Sequence, residues 1–483
     1  MRVVVMGAGI SGHTSALYLR RLLSSEHEVH VVSPKTKWNW IPSNIWVGVG
    51  EMTEKQVSFE LPPIYQKQGI NFTQGNGIAI FPEGDATHSS PYIKIQHTDQ
   101  SNLNSESILE YDFLINATGP KLNFEATPGL GPDHHSLSVC TADHAIHASQ
   151  KLQEIIQDLK KGQHRTLVIG MGHGLCTCEG AAFEYVFNVD HLLRQNGVRE
   201  NAKLIFITNE KEVGDFGVGG MWLKTPEFIT SGKLFAESLF EERGIEAICG
   251  AHVKLVENKK ISYEQLDGTF HDLEFDFAML LPPFTGVHFK AFNSDGSEIT
   301  DTLFSANRFM KVDANYQAKG FDEWLAEDWP KTYQTSYPNI FAIGIAFAPP
   351  HAISKPQKST NGTPISPAPP RTGMPSAMMG KMIARTIKEM IETRSKKPSR
   401  VLSLAEIGAA CIASTGAHMT RGSAASITMF PIVPDYKKYP KFGRNLSLTT
   451  GEIGLAGHWL KKLLHYLFIY KAKAKLFWWM IPE

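Results

Sequence analysis

The chain has 483 residues, 42% of them apolar, which is enough to bury more than one core and predicts two or three domains. Its 48 Lys and Arg residues balance 48 Asp and Glu residues, so there is no overall basic field, and we expect no nucleic-acid partner. Five irregularly spaced cysteines argue against a secreted disulfide framework and against a structural zinc site, and no metal is predicted.

The first stretch, "RVVVMGAGISGHTSALYLRRLL", predicts a β-strand, a glycine turn and a helix. Gly7, Gly9 and Gly12 allow a tight turn, close approach of backbone N–H groups to a pyrophosphate, and close packing of helix on strand. Ser11 lies at the positive end of the helix, which favours phosphate. Because the strand begins at once, we expect no signal peptide and an intracellular protein.

The second strand, "EVHVVSP", lacks the acidic residue that usually holds a ribose, and Ser33 stands there as a weaker contact. Further along, "LEYDFLINATGP" places the small residues Thr118 and Gly119 after another apolar strand, where the chain can cross near a dinucleotide. The segment "NIFAIG", ending at Gly344, returns to this first unit.

A second βαβ pattern begins near residue 149 with a helix and a strand over 166–170. The sequence therefore predicts an α/β fold of two Rossmann-like dinucleotide-binding domains, the second inserted in the first, plus a C-terminal membrane-associating region. The predicted boundaries are 1–148, 149–300, 301–395 and 396–483, the first and third ranges forming one domain.

The glycine turn of the second unit, "GMGHGLCTCEG", departs from a phosphate-binding loop. Leu175 occupies the place of the third glycine, and Cys176 and Cys178 lie where small, inert residues are expected. The positive end of the following helix favours a sulfur anion there. Two buried structural cysteines remain the alternative.

Three later segments complete the prediction. "PPHAISKPQKSTNGTPISPAPP" predicts an irregular loop, either functional or a flexible surface excursion. Cys249 and Cys411 are interpreted as structural residues, in a strand and a helix respectively. The end, "GHWLKKLLHYLFIYKAKAKLFWWMIP", predicts amphipathic helices lying on a bilayer, with leucines toward lipid and lysines such as Lys461 and Lys471 toward anionic headgroups. A helix docked on the protein core or a dimer contact is the alternative.

Several of these segments together resemble the sulfide:quinone oxidoreductase family of flavoproteins, relatives of flavocytochrome c sulfide dehydrogenase. The resembling stretches are "WNWIPSNIWVGVG", "SVCTADHA", "CEGAAFE", "VGDFGVGGM", "AMLLPPFTGV", "PPRTGMP" and the basic aromatic tail. The resemblance implies FAD as cofactor, sulfide or a related sulfur compound as donor, and a membrane quinone as acceptor. It further implies a peripheral, monotopic membrane protein without a transmembrane helix, and leaves a homo-oligomer open.

The resemblance also implies residue roles. Cys178 matches the catalytic cysteine, and Glu184 matches a nearby carboxylate that accepts a proton. Cys140 matches the first cysteine, and His144 matches the histidine that neighbours this first cysteine. The flavin-binding residues that it implies, together with those of the glycine turns, are Gly7, Gly9, Ser11, Gly12, Ser33, Pro42, Ser43, Thr118, Gly119, Gly344, Arg371 and Thr372.

The chain departs from the family pattern at several positions. No cysteine occurs between residues 249 and 411, so the second catalytic cysteine, expected near Ala346, is missing. Asp215 replaces a histidine, Ile345 an aspartate and Arg371 a lysine. Cys176 or Cys140 is then left as the partner of Cys178, or the donor is another thiol or persulfide. A type II NADH:quinone oxidoreductase and a non-catalytic flavin-binding module remain the alternatives.

Overall fold

The computed structural model describes residues 1–177, 179–370, 373–417 and 420–483. The first part of the chain contains, in order, β1 (Arg2–Met6), α1 (Ile10–Leu22), β2 (Glu28–Ser33), β3 (Lys37–Asn39), α2 (Asn44–Gly48), α3 (Glu54–Val57), β4 (Ser58–Glu60), α4 (Pro62–Gln68), β5 (Asn71–Phe81), β6 (Tyr92–His97), β7 (Glu106–Glu110), β8 (Phe113–Asn116), β9 (Pro120–Leu122) and α5 (Ala142–Lys160).

The middle part contains β10 (Arg165–Met171), α6 (Glu179–Gln195), β11 (Ala202–Ile207), β12 (Trp222–Lys224), β13 (Ile229–Ser231), α7 (Gly232–Arg243), β14 (Glu246–Ile248), β15 (Ala251–Glu257), β16 (Lys260–Gln265), β17 (Phe270–Glu274), β18 (Phe277–Leu281), β19 (Phe284–Gly286) and β20 (Lys290–Ala291). The last part contains α8 (Thr300–Leu303), β21 (Ile340–Ala342), α9 (Gly373–Thr393), β22 (Ala409–Ala417), β23 (Gly422–Met429), β24 (Thr450–Gly454) and α10 (Leu455–Ala472).

The first sheet has eight strands, with the order β21-β8-β1-β2-β5-β6-β7 and β20 added to β5. Its centre is parallel, and Val3, Val4 and Val5 of β1 are completely buried, as expected for a strand covered on both faces. Helix α1 packs closely on α9, since a Cβ on Gly380 would lie 2.5 Å from the Ser11 carbonyl oxygen. This close crossing fixes the start of α1, where the first glycine turn lies.

The second sheet is a parallel set of four strands in the order β14-β11-β10-β18. It is built from the βαβ pattern that the sequence predicts, and the two Rossmann-type units are confirmed. Strand β20, at Lys290–Ala291, already pairs with β5 of the first sheet. The pairing with the first sheet therefore resumes before residue 301, the predicted boundary.

The C-terminal region contains more strand than the sequence predicts. Strands β22, β23 and β24 form a five-stranded sheet with β12 and β13 of the middle part, and α10 packs on β22 and β23. The predicted helix at Cys411 is wrong, because this short apolar run pairs antiparallel with β23. Short apolar runs do not distinguish a buried helix from a strand, and here the partner strand decides.

Candidate active site

The first glycine turn is shaped for a ligand at the start of α1. A Cβ on Gly7, where φ is +96°, would lie 2.3 Å from the Ala117 carbonyl oxygen. A Cβ on Gly344 would lie 2.4 Å from Ser11 Oγ. At Gly9, in contrast, a Cβ would meet no atom within 4 Å. The backbone is thus packed tightly on the protein side and open on the side from which a pyrophosphate would approach.

The other predicted flavin-binding residues of the first domain divide into two groups. Thr118 and Gly119 follow β8 beside this turn, and Thr118 Oγ1 donates a hydrogen bond to Asn116 at 2.8 Å. Ser33 donates to the Lys35 carbonyl oxygen at 3.2 Å, and Ser43 Oγ is bonded to His465 Nδ1 at 2.8 Å. Ser43 thus connects the domain to α10, a contact that the sequence does not predict, and its neighbour Pro42 is half-buried.

The remaining two predicted flavin-binding residues, Arg371 and Thr372, lie outside the described residues, as does Cys178. Their assignments stay predictions from the resemblance.

The second glycine turn is covered by the chain itself. We name residues 351–370 the covering loop. Its Ser366 N–H donates to the Gly174 carbonyl oxygen at 2.8 Å, its Ala368 N–H donates to the Cys176 carbonyl oxygen at 2.9 Å, and Thr177 Oγ1 donates to its Pro369 carbonyl oxygen at 2.9 Å. The Pro-rich segment is therefore bonded to the turn that a second nucleotide would need.

Cys176 is a buried, protonated thiol. Its Sγ donates to the Leu281 carbonyl oxygen at 3.2 Å, and burial, followed by the charge of Glu179, raises its pKa well above the ordinary value. The predicted sulfur anion at the helix start is thus wrong for Cys176, since desolvation outweighs the helix dipole.

Cys140 and His144 lie at the start of α5, which begins after Cys140, at Ala142. Burial raises the pKa of the Cys140 thiol to about 11. Burial, together with the charge of Lys35, lowers the pKa of His144, and its Nδ1 is buried without a partner among the described atoms. Both residues are thus neutral at physiological pH.

Glu184 forms a buried ion pair with Lys461 of α10, and its Oε1 also accepts a hydrogen bond from Ser414 N–H at 3.0 Å. Burial raises the pKa of Glu184, although Lys461 opposes this. Lys461 therefore points into the protein, as does Lys471, which is bonded to Glu483 at 2.6 Å. The prediction that these two lysines face headgroups is wrong.

Two buried carboxyl groups and one half-buried carboxyl group lie near the start of α6, and sequence reasoning missed the two buried ones. Glu179 is 1% exposed, and Glu210 is equally buried. Asp215, which the sequence identified only as a replacement, accepts a hydrogen bond from Ser354 of the covering loop. The signal for Glu179 was present, since it directly follows Cys178 in "CEGAAFE".

Cys411 is a second residue that the sequence analysis undervalued. It is exposed on β22, and a Cβ on Gly180 would lie 3.7 Å from its Sγ. Gly180 is in the first turn of α6, two residues after Cys178. A thiol is thus present near the helix start without belonging to either predicted cysteine segment.

Helix α10 has an inverted distribution of polarity. Its buried side chains include His458, His465 and Lys471, while Leu460 and Leu463 are 46% and 55% exposed. A helix that only docks on a protein core buries its apolar residues instead. No helix in the described ranges is long and apolar enough to cross a membrane.

A cavity lies between the start of α1, the start of α9 and the inner side of α10. Aromatic and polar side chains line it, among them His13, Trp38, Trp40, Met374, Phe468 and Trp478. The cavity is small, about 30 Å³, and its lining is largely apolar. Ile10, at the start of α1, and Phe468 of α10 both line it.

Comparison with known proteins agrees with this geometry. Residues 1–203 match the family model of pyridine nucleotide-disulphide oxidoreductases. The chain is 29% identical to a sulfide-quinone reductase of Aquifex aeolicus over 98% of its own length and 91% of that protein's. The solved structure of the Aquifex aeolicus sulfide:quinone oxidoreductase matches with a TM-score of 0.74 at 26% identity, covering 98% of this chain and 91% of that one.

A plant relative is more distant. A mitochondrial external alternative NAD(P)H-ubiquinone oxidoreductase of Solanum tuberosum is 24% identical over 62% of this chain and 49% of its own.

Proposed function

We propose that the chain is a member of the sulfide:quinone oxidoreductase family of flavoproteins, and that it oxidises sulfide or a related sulfur compound and reduces a membrane quinone. The family implies a flavin cofactor, which we propose to be FAD. FAD, when bound, accepts two electrons from the sulfur donor and returns them to quinone. The tight turn at Gly7 and the open space at Gly9 fit the pyrophosphate of a dinucleotide.

The covering loop is the observation that carries the proposal. Its bonds to Gly174, Cys176 and Thr177 occupy the turn where a nicotinamide dinucleotide would place its phosphates. The exposed Leu175 at the third glycine position adds to this. These features favour a small sulfur donor over NADH, because hydrogen sulfide needs no phosphate-binding turn.

Three thiols are candidates for the one that exchanges with Cys178, namely Cys140, Cys176 and Cys411. Burial raises the pKa of the Cys176, Cys140 and Cys411 thiols alike, so position rather than acidity distinguishes them. Cys411 is exposed and lies beside the first turn of α6. We propose Cys178 as the sulfur-binding residue and Cys411 as the thiol best placed to exchange with it.

We also propose that α10 binds the membrane surface, with Leu460 and Leu463 in the acyl boundary. Quinone then enters from the bilayer at the aromatic cavity on the inner side of α10, near the start of α1, and this cavity of about 30 Å³ must widen to admit the ring. This arrangement separates the two reactions, with sulfur at the start of α6 and quinone beneath α10.

Anaerobic flavin reduction tests the donor. We expect sulfide to bleach the flavin of the purified protein within seconds, NADH to leave it oxidised, and a short-chain quinone to restore the colour. Cys178→Ala should abolish bleaching by sulfide, while Cys249→Ala, a change at a cysteine remote from this role, should preserve it. Rapid bleaching by NADH, or unchanged bleaching in Cys178→Ala, would contradict the proposal.

Vesicle flotation tests the membrane surface. Leu460→Asp with Leu463→Asp should release the protein from anionic vesicles while its flavin content stays unchanged. Phe270→Asp is the matched control, because Phe270 is 66% exposed on β17, away from α10. Equal flotation of all three proteins would remove α10 as the membrane-binding element.

A further inference from the structure

The start of α6 carries a buried carboxyl group to which no role has yet been given. Glu179 is 1% exposed, and neither of its carboxyl oxygens has a hydrogen-bond partner among the described residues. An isolated buried carboxylate is costly, so such a group is protonated or meets a ligand. Buried, unsatisfied carboxyl groups are concentrated at functional sites.

The surroundings of Glu179 form an enclosed space rather than a surface. A Cβ on Gly217 would lie 3.5 Å from Glu179 Oε2 and 2.5 Å from the Ala368 carbonyl oxygen. Three segments therefore meet here, namely the start of α6, the glycine turn at 214–220 and the covering loop. Ser354 of that loop donates to Asp215 and accepts from Gly219 N–H at 3.0 Å, so its hydroxyl holds the covering loop against the glycine turn.

Among the described residues, the titratable groups that act on Glu179 are mainly acidic. Burial raises the pKa of Glu179 to about 8, and the charge of Asp215 adds to this. Burial and the charges of Glu179 and Asp215 raise the pKa of Glu210 far above its ordinary value. Cys176 faces the same group as a neutral thiol, and Arg444 acts only on Asp215. A carboxyl group that ionises near neutrality is suited to exchange protons.

Glu184, the proton acceptor that the resemblance implies, is less available. Both of its oxygens accept from Lys461, and Oε1 also accepts from Ser414. A paired carboxylate loses its ion pair when it takes up a proton. Glu179 carries no such partner among the described residues and directly follows Cys178 in the chain.

Resting on the proposed function, we infer that the carboxylate of Glu179 accepts the proton that the sulfur donor releases as its sulfur bonds to Cys178. Asp215 and Glu210 act as positioning residues that keep this group exchangeable. Neither of these two contacts the reacting sulfur in the proposed reaction. The enclosure by the covering loop keeps bulk water from replacing Glu179 as the acceptor.

The step balances for hydrogen sulfide. One S–S bond forms between the sulfide sulfur and the Cys178 thiolate, and both S–H bonds of hydrogen sulfide break. Two electrons and one proton would pass to the bound flavin, and the second proton passes to Glu179. The products are a persulfide anion on Cys178, a flavin reduced by two electrons and a neutral Glu179.

The first test is the pH profile of anaerobic flavin reduction by sulfide, measured by stopped flow. Glu179→Gln keeps the shape of the neutral acid, and we expect reduction to slow about 100-fold and the ionisation near pH 8 to disappear. Glu212→Gln, an exposed carboxylate near the same turn that pairs with Lys233, is the control and should match the wild type. A Glu179→Gln protein with the wild-type rate and profile would overturn the inference.

Asp215→Asn is the second variant, and it keeps the inference testable should Glu179→Gln not fold. Because the charge of Asp215 raises the pKa of Glu179, this change should move the ionisation to lower pH. An ionisation that stays in place would overturn the coupling of these two groups.

The second readout does not depend on turnover. Alkylation of Cys178 by iodoacetamide, followed by mass spectrometry, reports the ionisation of its thiol. Removing the neighbouring negative charge in Glu179→Gln should move the midpoint about one pH unit lower. A wild type that sulfide does not reduce would overturn the proposed function, yet the alkylation profile would still decide on Glu179: a shifted midpoint supports its coupling to Cys178, and an unshifted one refutes it.

Discussion

Replacing Lys461 by methionine tests whether the buried ion pair between α10 and α6 stabilises the protein. The side chains of Lys461 and Glu184 are 12% and 6% exposed, so both charges are largely shielded from water. Within the described residues, Lys461→Met leaves the Glu184 carboxylate with the hydrogen bond from Ser414 alone. Removing one partner of a buried pair costs about 3–5 kcal/mol. For a chain of 483 residues, a loss of this size lowers the thermal midpoint by about 3–5 °C.

The direction in which the stability of Lys461→Met changes with pH follows from the pKa of Glu184. Without Lys461, the pKa of Glu184 rises further, because burial is then opposed by the Ser414 hydrogen bond without the charge of Lys461. The folded state of the variant then binds more protons than the unfolded state above the ordinary pKa of a glutamate. The stability of Lys461→Met must therefore fall as the pH rises from acidic to neutral, more steeply than that of the wild type.

Differential scanning fluorimetry of the flavin-loaded protein at several pH values measures these effects. Lys461→Met with Glu184→Gln removes both charges and should recover the free energy of unfolding to within about 1 kcal/mol of the wild type. Lys462→Met is the control, since Lys462 forms no ion pair within the described part of the chain and should change little. The reasoning fails if Lys461→Met behaves like Lys462→Met, or if the double variant is no more stable than Lys461→Met.

Three further predictions follow from the described contacts. Gly344→Ala should lower the ratio of bound flavin to protein in the visible spectrum, because its Cβ would lie 2.4 Å from Ser11 Oγ, whereas Gly296→Ala, with no atom within 4 Å, should not. Glu264→Gln should free the covering loop for proteolysis at a cost of about 2 kcal/mol, because Glu264 accepts from Ser359, Thr363 and Lys254. Burial raises the pKa of Glu264, but these bonds lower it more, to about 2. The Glu264 carboxylate therefore contributes its full stabilisation above the ordinary pKa of a glutamate and loses it as the pH falls through about 2. The acid-unfolding curves of wild type and variant should converge at that pH. Arg444→Leu should yield little folded protein, since the guanidinium donates to the carbonyl oxygens of Pro431, Val218, Gly220 and Ile432, and the loss of these bonds should appear as a sharp drop in soluble yield that Arg421→Leu does not share.

The parts of the fold that follow local periodicity could be predicted from the sequence. The strand "RVVVM" and the turn at Gly7 and Gly9 could be predicted from their own residues, because a strand buried on both faces must be apolar and a phosphate-binding turn must consist of small residues. The second βαβ unit was recognisable for the same reason. Cys411 was misassigned because its strand depends on pairing with β23, which lies beyond any local window.

The site was less predictable where function depends on distant contacts. Nothing near Lys461 indicates that it pairs with Glu184, which is 277 residues away in the chain. The covering loop has the composition of a flexible segment, and only its bonds to Gly174 and Cys176 reveal its position. Glu179 lay within a recognised motif, but burial and the absence of a described partner give it meaning, and neither can be read from sequence.

The sheet shared between the middle of the chain and its C-terminal region limits how the protein can be divided. Strand β24 pairs with β12, while β22 supplies the Ser414 carbonyl oxygen that accepts from Asn188 Nδ2 at 2.9 Å. A version shortened after residue 396 would leave a bare strand edge and orphan polar groups along α6. We therefore regard the C-terminal region as an integral part of the folding unit, which recombination or protein engineering cannot simply graft, exchange or discard.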